Sequence, residues 1–344
     1  MSANQRQSNI ELLRLLAIVG IIILHYNNAD MGGGFRYVTS GSLNEGILLF
    51  LESIAICGVN LFIMISGFFL SRTNKRSVGK AIVLLIQVCI FSLIHYGILI
   101  ATGRAEFGIK GIIGYLIPQN WFVTLYIVLY LISPLINRAF RNLKSWKVLA
   151  GLIFLFSFIP TVLDLVFRIT GKEFSSLMPL GTNGSGRGYT IVGFVLCYII
   201  GAALNWMRLE KIPTWAVLLI LLADIILIFL WSRWDQNTAF SYCNPLVILE
   251  AAAFMALFLR MNMGVNRVIN LVSESTFSIF LIHLYAVSYL RIEQFVQKPW
   301  YVMVLHLLAS CLGIVVFSFV ADRIYRLCTN WLTKRLSRVW TYTI

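Results

Sequence analysis

Apolar residues run along this chain in ten long blocks separated by short polar breaks. The blocks lie near residues 10–28, 46–70, 79–102, 121–138, 147–168, 189–206, 213–231, 246–261, 272–291 and 300–322. Each is close to the roughly 17–25 residues an α-helix needs to cross a hydrocarbon core. Open strands would leave backbone groups unpaired in lipid, so the blocks are predicted to be helices. The pattern therefore predicts an all-α integral membrane protein with about ten transmembrane helices in a single transmembrane domain over residues 1–344. A basic tail follows at 323–344. The first block is read as a retained helix, because many similar blocks follow it and no small-residue cleavage site is evident.

Composition agrees with this pattern: 59% of the 344 residues are hydrophobic and only 12% are charged. Soluble domains carry about 25% charged residues. Mean hydropathy is +0.83. The net charge of +14 would suggest nucleic acid in a soluble protein. Here the cations fall between blocks, mostly on alternate sides, and no basic stripe with interleaved aromatics appears, so nucleic acid is excluded as a partner. With the N-terminus placed in the cytoplasm, 18 of the 28 Lys and Arg fall on the inner side, nine on the outer side, and Arg14 inside a span. The positive-inside rule favours this orientation, with both termini cytoplasmic. Two outer segments stand out as loops: 27–45, with Gly32-Gly33-Gly34, and 169–188, ending GTNGSGRG. Segment 107–118 is too short to span and is expected at the outer interface. The six cysteines form no CxxC and no disulfide framework.

The candidate chemistry begins with an Arg and a His on the first span, NIELLRLLAIVGIIILHYNN. Eleven helical steps put Arg14 and His25 on one face, roughly 16 Å apart along the axis. An ionisable group in hydrocarbon costs a few kcal/mol or more and points to function. Glu11, one turn before Arg14, is placed to pair with its guanidinium. His283, in STFSIFLIHLY on the ninth span, falls at a similar depth to His25. His95 and His306 lie nearer the outer ends of their spans. Glu52, Asp164, Asp224 and Glu250 are buried acids in this topology, and Glu250 is a candidate acceptor-side group. Asn60 and Ser66 are polar positions on span two. Trp121 and Tyr126 lie on span four, in NWFVTLYIVLYLISPLIN. The inner cluster Arg72, Lys75, Arg76 and Lys80 suits the phosphates of an anionic cofactor, although such clusters also set topology. Four scattered histidines with no HExxH and no paired cysteines give no metal site.

Together these elements resemble the acyltransferase 3 family. The resemblance rests on Arg14-x10-His25, SGFFL at 66–70, the basic cluster after it, WFVTLY and SPLIN on span four, and IFLIHLY on span nine. It covers about residues 9–322. It implies Arg14 and His25 as the essential pair, a cytoplasmic acyl-CoA donor such as acetyl-CoA, and an extracytoplasmic acceptor, commonly a glycan. An Arg-x2-Arg pair often found at the start of span three is here replaced by Arg72-x2-Lys75-Arg76 with Lys80. An appended esterase domain found in many members is not expected here. The acyl group would go straight to its acceptor or be passed to a separate transferase partner.

The resulting expectation is a multi-pass protein of the cell membrane, bacterial by the resemblance, that O-acetylates a surface or lipid-linked polysaccharide. His25 serves either as general base on the acceptor hydroxyl or as transient acyl carrier. A transporter or flippase for a lipid-linked glycan is the competing class, since buried polar groups also mark substrate pathways.

Overall fold

The computed structural model describes residues 6–117, 120–141, 145–171, 188, 190–336 and 339–343. Most of the expected loop at 169–188 lies outside them, as do Lys144, Lys172, Arg187 and Arg338. The first half of the chain forms α1 (Ser8–Asn27), a single turn α2 (Gly34–Tyr37), α3 (Leu43–Ala55) and α4 (Gly58–Leu70). Strand β1 (Lys75–Ser77) then leads into α5 (Val78–Ala101), α6 (Ile109–Leu116) and α7 (Trp121–Phe140). Next come α8 (Trp146–Ile153), α9 (Ile159–Thr170), α10 (Ile191–Ala203), α11 (Thr214–Ser232), the turn α12 (Gln236–Ala239) and α13 (Pro245–Arg260). The last elements are α14 (Arg267–Ser273), α15 (Thr276–Ala286), α16 (Trp300–Leu336) and strand β2 (Thr341–Thr343).

Every apolar block is thus helical, but the blocks are not equal. Among the described residues, seven helices are long and apolar enough to cross a membrane, or eight when the bent pair α14–α15 counts as one span. The sixth and eighth blocks form helices of only 13 and 16 residues. The expected ten crossings are therefore not reached by helix length. α16 continues well beyond its block: its 37 residues measure about 55 Å, against roughly 30 Å of hydrocarbon. The tail expected at 323–344 is helical to Leu336 and then forms β2, which pairs antiparallel with β1, Arg76 opposite Tyr342.

Local chemistry explains the starts and breaks. Asn120, Thr190, Asn244 and Asn266 cap α7, α10, α13 and α14 by accepting hydrogen bonds from backbone N–H groups. Pro160 near the start of α9 follows a π-helical turn at Phe154–Phe158, which absorbs the missing donor within the fifth block. Pro134 interrupts α7 and frees the Tyr130 carbonyl, to which Ser133 Oγ donates at 2.7 Å.

α1 is the axis of the fold, touching α3, α4, α13, α14, α15 and α16, and its Ile10, Leu13, Ile18, Ile21 and Ile22 are buried. α4 and α10 approach backbone to backbone. Gly67 lies against the Tyr198 carbonyl and Gly201 against the Met64 carbonyl, so a Cβ on either would collide with the opposing backbone. This gives the glycine of SGFFL a packing role: small residues let helices approach closely where lipid supplies no hydrophobic drive.

The 55° bend between α14 and α15 is held by Asp322 of α16. This buried carboxylate accepts from Ser275 Oγ at 2.7 Å, Ser278 Oγ at 2.5 Å and Arg326 Nε at 2.6 Å. Arg326 also donates to the Glu274 carbonyl freed at the bend, at 2.6 Å. The clamp fixes the start of α15, the helix that carries His283.

Candidate active site

His25 closes α1 and meets His283 of α15. The rings are 4.7 Å apart, edge to face at 70°. His283 is fully buried, and its Nδ1 lies 3.2 Å from the Ile279 carbonyl oxygen. Its Nε2 lies 3.2 Å from His25 Nδ1, which is itself 2.8 Å from the Ile21 carbonyl oxygen. A carbonyl only accepts, so in both rings Nδ1 carries the hydrogen. His283 Nε2 is then a bare acceptor, and the His25 Nδ1–H is shared between it and Ile21. This leaves neutral His25 with a lone pair on Nε2 and no partner for it among the described residues. His25 is only half-buried whereas His283 is sealed, so of the two rings His25 is the one open to a reactant.

Aromatic rings from three helices lead from the pair. Phe280 lies 5.5 Å from His283 and 4.8 Å from Phe122, which is parallel to Tyr126 at 6.0 Å. Ser66 Oγ donates to the Phe62 carbonyl and sits 3.4 Å from the Tyr126 hydroxyl. A row of ring contacts through Phe122 and Phe280, which sequence reading did not single out, thus links Ser66 and Tyr126 to His283 along one side of the site. Trp121 forms its rim, with Phe122 and Phe194 at 6.0 Å and Tyr242 at 6.3 Å.

Three turns away on α1, Arg14 NH1 binds both oxygens of the buried Glu11, at 3.0 and 3.1 Å. Its Nε and NH2 make no bond among the described residues. Its guanidinium lies 5.9 Å from the Phe69 ring, and Arg72 lies 5.4 Å from that same ring and 4.3 Å from Phe68. Two cations thus share one aromatic residue of SGFFL.

Arg72 also lines a cavity of about 490 Å³ among α4, α7, α8 and α10, together with Arg141, Asn137, Asn205, Tyr198 and Trp206. The four cluster residues part company here. Lys75 and Lys80 are exposed and do not line the cavity. Arg76 turns inward and is buried: Nε donates to Ser133 at 2.7 Å, NH2 to the Leu70 carbonyl at 2.7 Å, and NH1 to the carbonyls of Thr73 and Lys75 at 2.8 Å. Four of its five donors are occupied by protein.

Glu250 is fully buried on α13, but its ionisable neighbours are Cys57 and Asp224 rather than the histidines. His95 stacks on Tyr285 at 4.1 Å, and His306 binds the Tyr26 hydroxyl at 2.9 Å. The Glu52 carboxylate accepts from Asn27 at 2.8 Å. Among the described residues no group of three or more His, Cys, Asp or Glu could hold a metal ion, and no cysteine forms a disulfide. Sequence reading missed Asp322, although the Asp-x3-Arg spacing with Arg326 at the end of a span was a legible signal.

The half-buried histidine with its bare nitrogen thus stands in a bundle of apolar helices, three turns along α1 from an arginine, in a multi-pass membrane protein. The acyltransferase domain of the acyltransferase 3 family matches residues 7–323, and the chain belongs to this family. The curated proteins and the solved structures contain no match to it.

Proposed function

We propose that the protein is an O-acyltransferase that moves an acyl group, acetyl in the simplest case, from cytoplasmic acyl-CoA to a hydroxyl of a cell-surface or lipid-linked polysaccharide. In this reading all ten helical segments traverse or line the membrane, both termini are cytoplasmic, and the host membrane is a bacterial cytoplasmic membrane. The observation that carries the reading is the bare Nε2 of His25, in line with Arg14 about 16 Å below it.

The donor's nucleotide lies in the cavity beside Arg72 and Arg141, where guanidinium groups suit phosphate. Its thioester arm runs past Arg14, along α1, to His25. The acceptor enters from the opposite side, over Trp121. As the acceptor oxygen attacks the thioester carbon, His25 Nε2 takes the hydroxyl proton, and the His283 acceptor helps hold the imidazolium that forms. The C–O bond forms, the C–S bond breaks, and His25 returns the proton to the departing thiolate, releasing free CoA thiol and acylated acceptor. Direct transfer needs no acyl-enzyme, so acid quenching during turnover should trap no acyl group on the protein.

Oriented proteoliposomes test this function, with labelled acetyl-CoA on the Arg14 side and glycan on the His25 side. Thiol release and labelled glycan are expected, and both should disappear in His25→Ala. Transfer only with both reagents on one face would overturn the cross-membrane route, and glycan crossing without acyl-CoA would favour a flippase.

A further inference from the structure

A second cavity, of about 480 Å³, lies among α5, α6, α15 and the head of α7. Tyr285 lines it and follows His283 by two residues, about 200° around the helix. The cavity is therefore on the far side of α15 from the histidine pair and at nearly the same depth. Its existence depends on α6. Gly111 packs on the Tyr96 hydroxyl, whereas Gly114, one turn later, faces open space with nothing within 4 Å of a Cβ placed there.

The lining has a definite chemistry. Among the described residues it contains no Asp, Glu, Lys or Arg, so it offers an ion no countercharge. Ser92 Oγ and the Tyr285 hydroxyl share one hydrogen bond of 2.9 Å, which leaves one of the two O–H groups with no acceptor among the described residues. The Asn120 side-chain oxygen caps α7, and its NH2 makes no bond among the described residues. Leu281 and Leu284 supply an apolar wall beside the Tyr115 and Tyr285 rings. Neutral hydrogen-bonding groups beside apolar and aromatic faces match a sugar ring, which presents hydroxyls at its edge and C–H groups on its faces. A purely apolar lipid chain would leave the spare O–H and the Asn120 amide unpaired.

Position ties this cavity to the histidine site. Asn120 borders it, and the next residue, Trp121, forms the rim of the histidine site on the other side of the head of α7. The geometry points to a second acceptor subsite here: a neutral sugar unit of the acceptor binds against Tyr285 and Ser92 while a neighbouring unit reaches His25 past Trp121. As an acceptor subsite it rests on the acyltransferase reading, but sugar binding does not require turnover and is tested by itself.

Protein in lipid nanodiscs is titrated with the methyl glycosides of glucose, galactose and N-acetylglucosamine, and binding is read by saturation-transfer NMR. At least one glycoside should bind. Gly114→Leu should abolish its signal by filling the cavity, and Tyr285→Phe should weaken it about tenfold. A Tm measurement checks that Gly114→Leu folds; if it does not, Tyr285→Phe carries the test. The subsite is overturned if no glycoside binds the wild-type protein, if both variants bind undiminished, or if the variants lose binding of farnesol instead. Glycoside binding in a protein that releases no thiol from acetyl-CoA would refute the acyltransferase reading and leave the sugar site standing.

Discussion

Replacing His283 by Leu separates the two histidines of the site. Leucine keeps an apolar side chain in a fully buried position but removes the acceptor for the His25 Nδ1–H, which lies 3.2 Å from His283 Nε2. The Ile21 carbonyl, at 2.8 Å, remains and still holds that hydrogen on Nδ1. His25 therefore keeps its tautomer and its bare Nε2, and loses one of two shared hydrogen bonds. Such a bond contributes about 0.5–1.5 kcal/mol, which converts to a loss in kcat of about two- to twelvefold. Removal of the base itself in His25→Ala should cost about 10²- to 10⁴-fold. The assay is release of CoA thiol by purified protein in nanodiscs with saturating acceptor, with kcat and the KM for acetyl-CoA measured separately. KM should not change in His283→Leu, because His283 is sealed from the donor path. A loss in His283→Leu as deep as that in His25→Ala would make His283 the reacting base and refute the assignment. An unchanged kcat would show that the hydrogen bond between the rings does nothing for the reaction.

Arg72→Ala should raise the KM for acetyl-CoA about 10- to 100-fold, the loss of one or two charge-assisted contacts, while Lys75→Ala and Lys80→Ala leave it near wild type; equal effects at all three would remove the cavity from donor binding. Gly67→Ala should destabilise the protein by about 1–3 kcal/mol by forcing α4 off the Tyr198 backbone, seen as a lower Tm in detergent; an unchanged Tm would contradict the close approach. Asp322→Ala should cost about 1–3 kcal/mol by orphaning the two serine hydroxyls, with hydrogen exchange rising first at the α14–α15 bend; unaltered protection there would show that the clamp does not hold the bend.

The ten apolar blocks could be read from the chain because the bilayer demands length and apolarity, and each block became helix. The breaks within them could not. Ile56 and Cys57 separate α3 from α4 inside one continuous apolar run. Depth along a helix is arithmetic, so His25 and His283 were legible as residues at one level; which way each ring faces depends on the bend at Asp322, a long-range contact. Arg76 misled for a related reason. In a run of cations it looks like a phosphate binder, whereas three carbonyls of its own turn and Ser133 of a distant helix take up its donors. Glu250 looked available because its depth was known but its neighbours were not.

The pairing of β1 with β2 sets an order of events during synthesis. Ser77 and Thr341 are partners, yet 264 residues separate them in the chain. At about 5–20 residues per second, β1 waits roughly 13–53 s for its partner to be made. An unpaired strand with free N–H and C=O groups is an invitation to wrong pairing. Arg76 stands guard in that interval: three of its four acceptor residues, Leu70, Thr73 and Lys75, precede it in the chain, and the fourth, Ser133, emerges long before residue 341. The guanidinium locks the nascent turn locally, and the chain's last strand closes over a shape that is already set.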